Sequence, residues 1–297
     1  MTMTGKTSMT PGITAVWRAT AEAFSCGRSM AEQVKSIRRF GNHGASPVLR
    51  AGVLAAHGIA KPKDEAEICV LFGCYRPFTT PFLVRDCIRL LEILGIDYTY
   101  LDQEYCCGAP LAMLASDEQS DEIRAVSREF NQLNLHLARE KGATTLAYCC
   151  VGCVHVARNT FREASKDHAY ILDVILDRLE QCELKAPLGA VGYFEGCHSF
   201  FESTYPGTAI DWNRYRQRLV GIDGLEVVDV PGKMCCKQSA GNIVAWAERM
   251  NLDTIVCACN WCYSSLRQVV KGRVQILNIP KLLVQSLEHT VLTNQGD

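Results

Sequence analysis

Hydrophobic residues along this chain form two successive series of short apolar runs separated by longer amphipathic stretches. The first series opens with the apolar run AEICVLFG, and the second opens with GAVGYFEGC. Short apolar runs bounded by turn residues are typical of buried strands. In the stretch PFLVRDCIRLLEILG the apolar positions recur at three and four residues, which is typical of a helix, and Gly95 is placed to end it.

The sequence predicts the order β-α-β-α-β twice. For the first series we expect strands at 66–73, 96–102 and 143–150, with helices at 81–95 and at about 117–141. For the second we expect strands at 189–197, 224–230 and 253–259, with helices at 209–220 and 241–250. Such alternation favours parallel sheets with right-handed crossovers. The predicted fold is α/β, with two repeated Rossmann-like units at 66–186 and 187–297.

Residues 1–65 form a separate compositional zone, with nine Lys and Arg against four Asp and Glu. Two short amphipathic helices are expected here, one carrying Trp17, Ala21 and Phe24 and the other Met30, Val34 and Ile37. They precede the loop NHGASP and the breaker KPKDE. We interpret this N-terminal extension as a docking arm for a partner subunit, the alternative being that it packs on its own protein.

Composition and charge argue against several classes of protein. The chain has 297 residues, 48% of them hydrophobic, and a formal net charge of -1, so no nucleic acid partner is indicated. No apolar run approaches the roughly 18 residues of a transmembrane span, and no signal peptide is recognised. We therefore expect a cytoplasmic protein, in which thiols stay reduced and cysteine patterns indicate metal or redox chemistry rather than disulfides.

Ten of the sixteen cysteines form the same ordered set twice: a lone Cys, an adjacent pair and a Cys-x-x-Cys. The first set is Cys74, Cys106, Cys107, Cys150 and Cys153, and the second is Cys197, Cys235, Cys236, Cys259 and Cys262. Each motif lies at or shortly after the end of a predicted strand. Because the carboxyl ends of parallel strands share one edge of a sheet, each set is expected to converge there.

The remaining cysteines receive simpler interpretations. Free cysteine is often a small buried hydrophobe, which is what we expect of Cys26, Cys69, Cys87 and Cys182. Cys149 and Cys257 each adjoin a Cys-x-x-Cys without an equivalent in the other half, so we assign them supporting roles.

Five thiols exceed what the common metal sites need. A structural zinc site closes with four ligands, and a four-cysteine iron–sulfur cluster leaves one thiol over. Thioredoxin-type chemistry needs a single Cys-x-x-Cys. The residues alone leave open a spare thiol, a larger and less symmetric cluster, or a zinc site built from the dithiol pairs.

The two motif sets resemble the CCG domains found in the family of the heterodisulfide reductase B subunit, which includes subunits of sulfur-oxidising heterodisulfide reductase-like complexes. The resemblance covers about 66–287. It implies a noncubane 4Fe-4S cluster bound by all five cysteines of each set. It also implies an oxidoreductase acting on sulfur compounds, with a ferredoxin-like C subunit, a flavin-containing A subunit and a sulfur-containing substrate or carrier as partners.

Three departures from the family pattern concern mainly the second set. Lys237 follows the second Cys-Cys where a glycine is expected, and 22 residues separate Cys236 from Cys259, against 42 between Cys107 and Cys150. We therefore expect the connecting helix of the second half to be about four turns shorter. The second site is accordingly expected to hold a distorted or smaller cluster. The N-terminal extension is also additional to the family core.

Four side chains beside the thiols are candidates for supporting roles. Arg76, His198 and Lys237 adjoin ligand positions, and a cation there would raise a cluster's potential or steer an anionic substrate. Trp261 is expected to shield the second cluster from water. Three functions follow as hypotheses: a sulfur-redox subunit, an electron-transfer or anchoring subunit of a succinate or fumarate reductase type of complex, and a zinc-binding structural protein.

Overall fold

The computed structural model describes residues 28–112, 117–196, 207–232, 234 and 236–294. Its strands are β1 Ile68–Leu71, β2 Tyr98–Tyr100, β3 Thr145–Tyr148, β4 His168–Tyr170, β5 Ala190–Phe194, β6 Glu226–Asp229, β7 Thr254–Cys257 and β8 Gln275–Asn278. Its α-helices are α1 Met30–Phe40, α2 Pro47–Ala56, α3 Arg76–Thr79, α4 Pro81–Ile93, α5 Ala109–Ala112, α6 Ser120–Glu140, α7 Val151–Thr160, α8 Ile171–Leu179, α9 Trp212–Val220, α10 Cys236–Arg249, α11 Asn260–Val269 and α12 Ile279–Asn294.

The strands form two parallel sheets of four strands each. The order is β2-β1-β3-β4 in the first sheet and β6-β5-β7-β8 in the second, with every neighbouring pair parallel. This confirms the predicted α/β fold with repeated Rossmann-like units. In each half the first strand of the unit is central, so residues after β1 and after β5 lie beside the ends of both neighbouring strands.

Each sheet has one strand more than the sequence predicted. β4 is only three residues long and begins with His168, whose Nδ1 lies 2.8 Å from the Tyr148 hydroxyl on β3. β8 carries only two apolar residues, Ile276 and Leu277, between Gln275 and Asn278. Neither segment has the apolar run or the alternation by which we identified strands. Both form because a neighbouring strand, β3 or β7, offers backbone groups with which they can pair.

The connecting helix of the second half is longer than expected. It begins at Cys236 rather than near 241 and has 14 residues, against 21 in α6 of the first half. The difference of seven residues is about two turns, so the expectation of four turns was wrong. Residue 237 lies inside α10, where helical φ and ψ place no demand for glycine. A residue other than glycine is therefore compatible with the backbone after the second Cys-Cys.

Part of the N-terminal extension packs on the first half. Ser29 caps α1 in a capping box with Glu32, which fixes the start of this helix. Val34 and Ile37 of α1 belong to the same buried apolar cluster as Cys74 and Cys106. The expected helix at Trp17 and Phe24, and Cys26, lie outside the described residues. A partner-docking role for the extension stays a prediction.

The two halves share one large hydrophobic core. Leu90 and Leu91 of α4, in the first half, belong to the same buried cluster as Tyr215 and Leu283 of the second. The C-terminal helix α12 packs against α4. Tyr215 also donates from its hydroxyl to Asp173 Oδ1 at 2.6 Å, which adds a polar contact between α9 and α8. Of the helices described, none has both the length and the apolar character that crossing a bilayer requires.

Candidate metal centre

The five thiols of the first set meet at the carboxyl edge of the first sheet. Their sulfur atoms are linked by side-chain hydrogen bonds into one continuous chain, in the order Cys74, Cys106, Cys107, Cys153, Cys150. Four of the five are buried and Cys150 is half-buried, and none of them forms a disulfide. The convergence expected from strand ends is therefore present, although the motifs span more than seventy residues of sequence.

Glycines on either side of the set let the backbone come close. Gly73, at φ +89°, lies directly before Cys74, and a Cβ there would stand 3.7 Å from Cys153 Sγ. Gly108, at φ +86°, directly follows the Cys-Cys pair, and a Cβ there would stand 1.9 Å from Ser127 Oγ on α6. The Cys-Cys-Gly motif thus requires its glycine for two reasons: the backbone there is left-handed, and α6 lies too close for a side chain.

Two asparagines of α6 hold the Cys-Cys loop in place. Asn131 donates from Nδ2 to the Cys107 carbonyl at 3.1 Å. Asn134 accepts from the Tyr105 amide at 2.7 Å and donates to the Tyr105 carbonyl, also at 2.7 Å. These bonds satisfy buried backbone groups that no strand or helix pairs, so the loop has one preferred conformation.

A buried carboxylate joins the Cys-Cys loop to the end of β1. Glu104 accepts hydrogen bonds from the amides of Phe72 and Gly73 at 2.9 and 2.6 Å, just before Cys74. It also pairs with Arg50 of α2 at 3.1 Å, and both side chains are at most 5% exposed. Burial raises the pKa of Glu104, opposed by the Arg50 charge and the two amide donors. The network ties three separate segments of the chain to one side of the site.

His43 is a residue of the site that the sequence reasoning missed. It lies in the turn between α1 and α2, and its Nε2 is 3.4 Å from Cys106 Sγ. A ring nitrogen of His43 and the sulfurs of Cys74 and Cys106 all lie within 4.8 Å of one another, close enough to contact one metal group. We interpreted NHGASP only as a loop, and no local motif connects this histidine to cysteines that follow it at a distance along the chain.

Hydrogen bonds between the thiols separate their pKa values. A hydrogen bond with Cys106 holds the pKa of Cys107 well below its usual range, while hydrogen bonds with Cys107 raise the pKa values of Cys106 and Cys153. A hydrogen bond from Cys153 lowers the pKa of Cys150 to about 6, against burial and with help from the Arg76 charge. Thiolate is the form that binds metal. Cys107 and Cys150 therefore reach the ligand form most readily.

The second set comes together in the same way as far as it is described. Cys262 makes side-chain hydrogen bonds with Cys236 and Cys259. A Cβ on Gly196, at φ +93°, would stand 2.8 Å from Cys262 Sγ, which matches the position of Gly73 beside Cys153 in the first set. Cys197, Cys235 and His198 lie outside the described residues, as does the side chain of Lys237. Their places at the site stay predictions.

Arg76 lies between the two sets. It is 6% exposed, and within the described part of the chain its Nη1 has no hydrogen-bond partner. Burial opposes its charge, but charges on Cys150, Tyr170, Cys149 and Cys259 outweigh this and raise the pKa of Arg76. Directly before it, the Tyr75 ring contacts the Trp261 ring with centroids 5.6 Å apart. The two sets therefore adjoin each other across the boundary between the halves.

The other sequence candidates have more ordinary surroundings. Cys69 and Cys87 are buried in the apolar core, as expected, while Cys182 is half-buried at its border. Cys149 makes a side-chain hydrogen bond with Cys87, and Cys257 is buried in the core of the second half. Trp261 is 51% exposed and contacts Tyr75, so it covers the boundary between the two sets rather than enclosing the second.

Parallel sheets with a cysteine set at the carboxyl edge of each half define a protein of the cysteine-rich α/β class. Residues 68–157 match the family model described as "Cysteine-rich domain", CCG. The chain is also similar to the D subunit of dihydromethanophenazine:CoB--CoM heterodisulfide reductase from Methanosarcina acetivorans, at 25% identity over 76% of this chain. These matches confirm the resemblance to the heterodisulfide reductase-like CCG family. The matched family segment contains the first cysteine set complete and ends before the second.

Two further comparisons gave matches, one to a curated protein and one to a solved structure. The B subunit of fumarate reductase (CoM/CoB) from Methanothermobacter marburgensis is 22% identical over 71% of this chain and 44% of its own length. Among solved structures, a putative Asp/Glu racemase from Yersinia pestis is 12% identical, covers 76% of this chain and 100% of its own, and has a TM-score of 0.36. The chain spans 60% of the length of the M. acetivorans relative.

Proposed function

We propose that this chain is an iron–sulfur subunit of a heterodisulfide reductase-like complex, acting in disulfide, thiol or sulfane-sulfur redox chemistry. The observation that carries the proposal is the unbroken chain of five thiols in the first set. One noncubane 4Fe-4S cluster would be held by Cys74, Cys106, Cys107, Cys150 and Cys153. A second cluster would be held by Cys197, Cys235, Cys236, Cys259 and Cys262.

The donor set fits an iron–sulfur cluster better than a zinc ion. A structural zinc site closes with four ligands, whereas the hydrogen-bonded chain of the first set contains five thiols. Cysteine-rich, sulfur-only ligation of this kind is typical of iron–sulfur centres.

A bound cluster would supply one-electron transfers and an iron position open to a further sulfur ligand. The protein's contribution is to hold the five thiols at defined places, four of them buried. The Glu104 network and the α6 asparagines fix the loop, and Arg76 adds a positive charge between the sets. The proposed partners are a ferredoxin-like C subunit, a flavin-containing A subunit and a sulfur-containing substrate or carrier. The similarity to subunits of multi-subunit reductases supports partner subunits in general.

A second candidate function is electron transfer within a fumarate reductase type of complex. The similarity to a subunit of fumarate reductase (CoM/CoB) favours it, because that match covers nearly as much of this chain as the match to heterodisulfide reductase. In that case the clusters would pass electrons without binding a sulfur substrate.

Anaerobic purification with metal and sulfide assays tests the proposal. We expect a brown protein, with about eight irons and matching acid-labile sulfide if both clusters are 4Fe-4S. Cys150→Ala is expected to lose about half of the iron, while Cys149→Ala, its buried neighbour outside the set, should keep all of it. A colourless protein with stoichiometric zinc, or equal iron loss from both variants, would contradict the proposal.

The response of the cluster signals separates the two functions. If the site takes part in sulfur chemistry, adding a low-molecular-weight thiol or disulfide should change the EPR signal of one cluster, and Cys150→Ser should remove that response if the first site is the reactive one. Signals that are indifferent to every sulfur compound, in a protein that keeps its iron, would favour the electron-transfer function.

A further inference from the structure

His43 stands at one end of the thiol chain of the first set, on a segment that precedes the matched family domain. It is 7% exposed, and its Nε2 lies 3.4 Å from Cys106 Sγ, which is hydrogen-bond distance to a sulfur. The family match begins at residue 68, so His43 lies outside it. The five thiols are already connected to one another without this residue.

The turn around His43 is held by its own hydrogen bonds. Asn42 accepts from the amides of Gly44 and Ala45 at 3.0 and 2.6 Å. Its side chain also donates to the Ala45 carbonyl at 2.7 Å. Arg28 donates to the His43 carbonyl at 2.8 Å. The backbone that carries His43 is therefore fixed from both sides, which limits the positions its ring can reach.

The same turn is bonded directly to the Cys-Cys loop. The Cys106 amide donates to the Gly41 carbonyl at 2.7 Å. Gly41 has φ +76°, and a Cβ there would stand 2.2 Å from the Glu104 carbonyl oxygen, so this close approach requires glycine. The turn that carries His43 is thus packed against and hydrogen-bonded to the Cys-Cys loop, and this contact places His43 beside the thiols.

We propose that His43 is a positioning residue of the first site that donates a hydrogen bond from Nε2 to Cys106 Sγ and favours the reduced state of the bound cluster. This inference rests on the proposed function. A reduced cluster carries more negative charge on its sulfurs, and a donor to one of them stabilises that state more than the oxidised one.

A redox titration followed by EPR tests the proposal on the protein purified with its iron. In His43→Ala the reduced-to-oxidised ratio of one cluster, at a fixed applied potential, is expected to fall on the order of tenfold, the effect of one charge-assisted hydrogen bond. The other cluster should be unchanged. His43→Gln, whose amide still donates, should recover part of the loss. Ser36→Ala is the matched control, because Ser36 bonds the Asn42 carbonyl in the same turn without contacting a thiol.

Pulsed EPR on protein with ¹⁵N-labelled histidine gives an independent readout without substitution. A weak ¹⁵N coupling confined to one cluster supports a hydrogen bond to a ligand sulfur. No coupling, or one strong enough for a direct iron–nitrogen bond, would overturn it. An unchanged ratio in His43→Ala, or an equal shift in Ser36→Ala, would also overturn it. Absence of iron from the unsubstituted protein would instead refute the proposed function itself.

Discussion

Replacing Gly108 by alanine should damage the first site through steric overlap with α6. Gly108 has φ +86°, and its new Cβ would stand 1.9 Å from Ser127 Oγ, 2.7 Å from Ser127 Cβ and 3.1 Å from Ser127 Cα. The last two atoms belong to the body of α6, so rotation of the Ser127 side chain cannot relieve the overlap. Either α6 or the Cys-Cys loop must move.

Two effects that lower the free energy of unfolding add at this position. A left-handed backbone costs a residue with a Cβ about 1–2 kcal/mol relative to glycine. Overpacking a tight contact typically costs a further ~1–3 kcal/mol. We therefore expect Gly108→Ala to lower the free energy of unfolding by about 2–5 kcal/mol. The loop movement should also weaken the hydrogen bond from Asn131 to the Cys107 carbonyl, and with it the position of two thiols.

Chemical denaturation with an iron assay on the same preparations measures both effects. Gly95→Ala is the matched control, because Gly95 has φ +63° and no atom lies within 4 Å of its Cβ position. That variant should therefore lose only the stability that a left-handed backbone costs a residue with a Cβ. A double variant, Gly108→Ala with Ser127→Gly, removes the two closest overlaps and should regain part of the iron. If Gly108→Ala were no more destabilising than Gly95→Ala, the packing argument for this glycine would be refuted.

Three further predictions concern charge at and around the site. Glu104→Gln leaves Arg50 buried without its ion partner and should cost about 3–5 kcal/mol in denaturation, whereas Arg38→Met at an exposed pair should cost below about 1 kcal/mol. A hydrogen bond from Cys153 and the Arg76 charge lower the pKa of Cys150 to about 6, so Arg76→Met should raise that pKa. The alkylation of Cys150 in metal-free protein at neutral pH should then be slower, which mass spectrometry can measure. Burial lowers the pKa of His168 to about 4, below the roughly 6.5 of the unfolded chain. The contribution of neutral His168 to stability is therefore complete above pH ~6.5 and is lost as the pH falls towards 4. In His168→Gln the free energy of unfolding should fall less steeply with decreasing pH, and an unchanged pH dependence would contradict this.

The convergence of the thiols was predictable because it depends only on strand order. Once two parallel units were recognised, Cys74, Cys107 and Cys150 had to meet at one edge of a sheet, whatever the length of the chain between them. The required glycine at Gly108 was visible as a motif, but its reason was not. The left-handed φ and the closeness of Ser127 exist only after α6 has folded back over the loop.

Elements that depend on long-range partners were not predictable. β4 and β8 have weak strand patterns and form because β3 and β7 offer them an edge. His43 approaches Cys106 only because Gly41 bonds the Cys106 amide, a contact between residues far apart in sequence. The second connecting helix begins at Cys236, so residue 237 has a helical backbone that needs no glycine, and the departure from the motif reflects a different local backbone.

The two cysteine sets cannot be treated as electrostatically independent. A hydrogen bond with Cys262 and the buried guanidinium of Arg76 lower the pKa of Cys259, while the charge of Cys150, in the other set, opposes them. The same guanidinium helps to lower the pKa of Cys150. Buried charges are little screened by salt, so a change in charge at one set alters the energy of the other. With a cluster at each set, reducing one would make reducing the other harder, and Arg76 would partly offset this because its charge favours the reduction of both. A single side chain two residues after Cys74 therefore acts electrostatically on both cysteine sets.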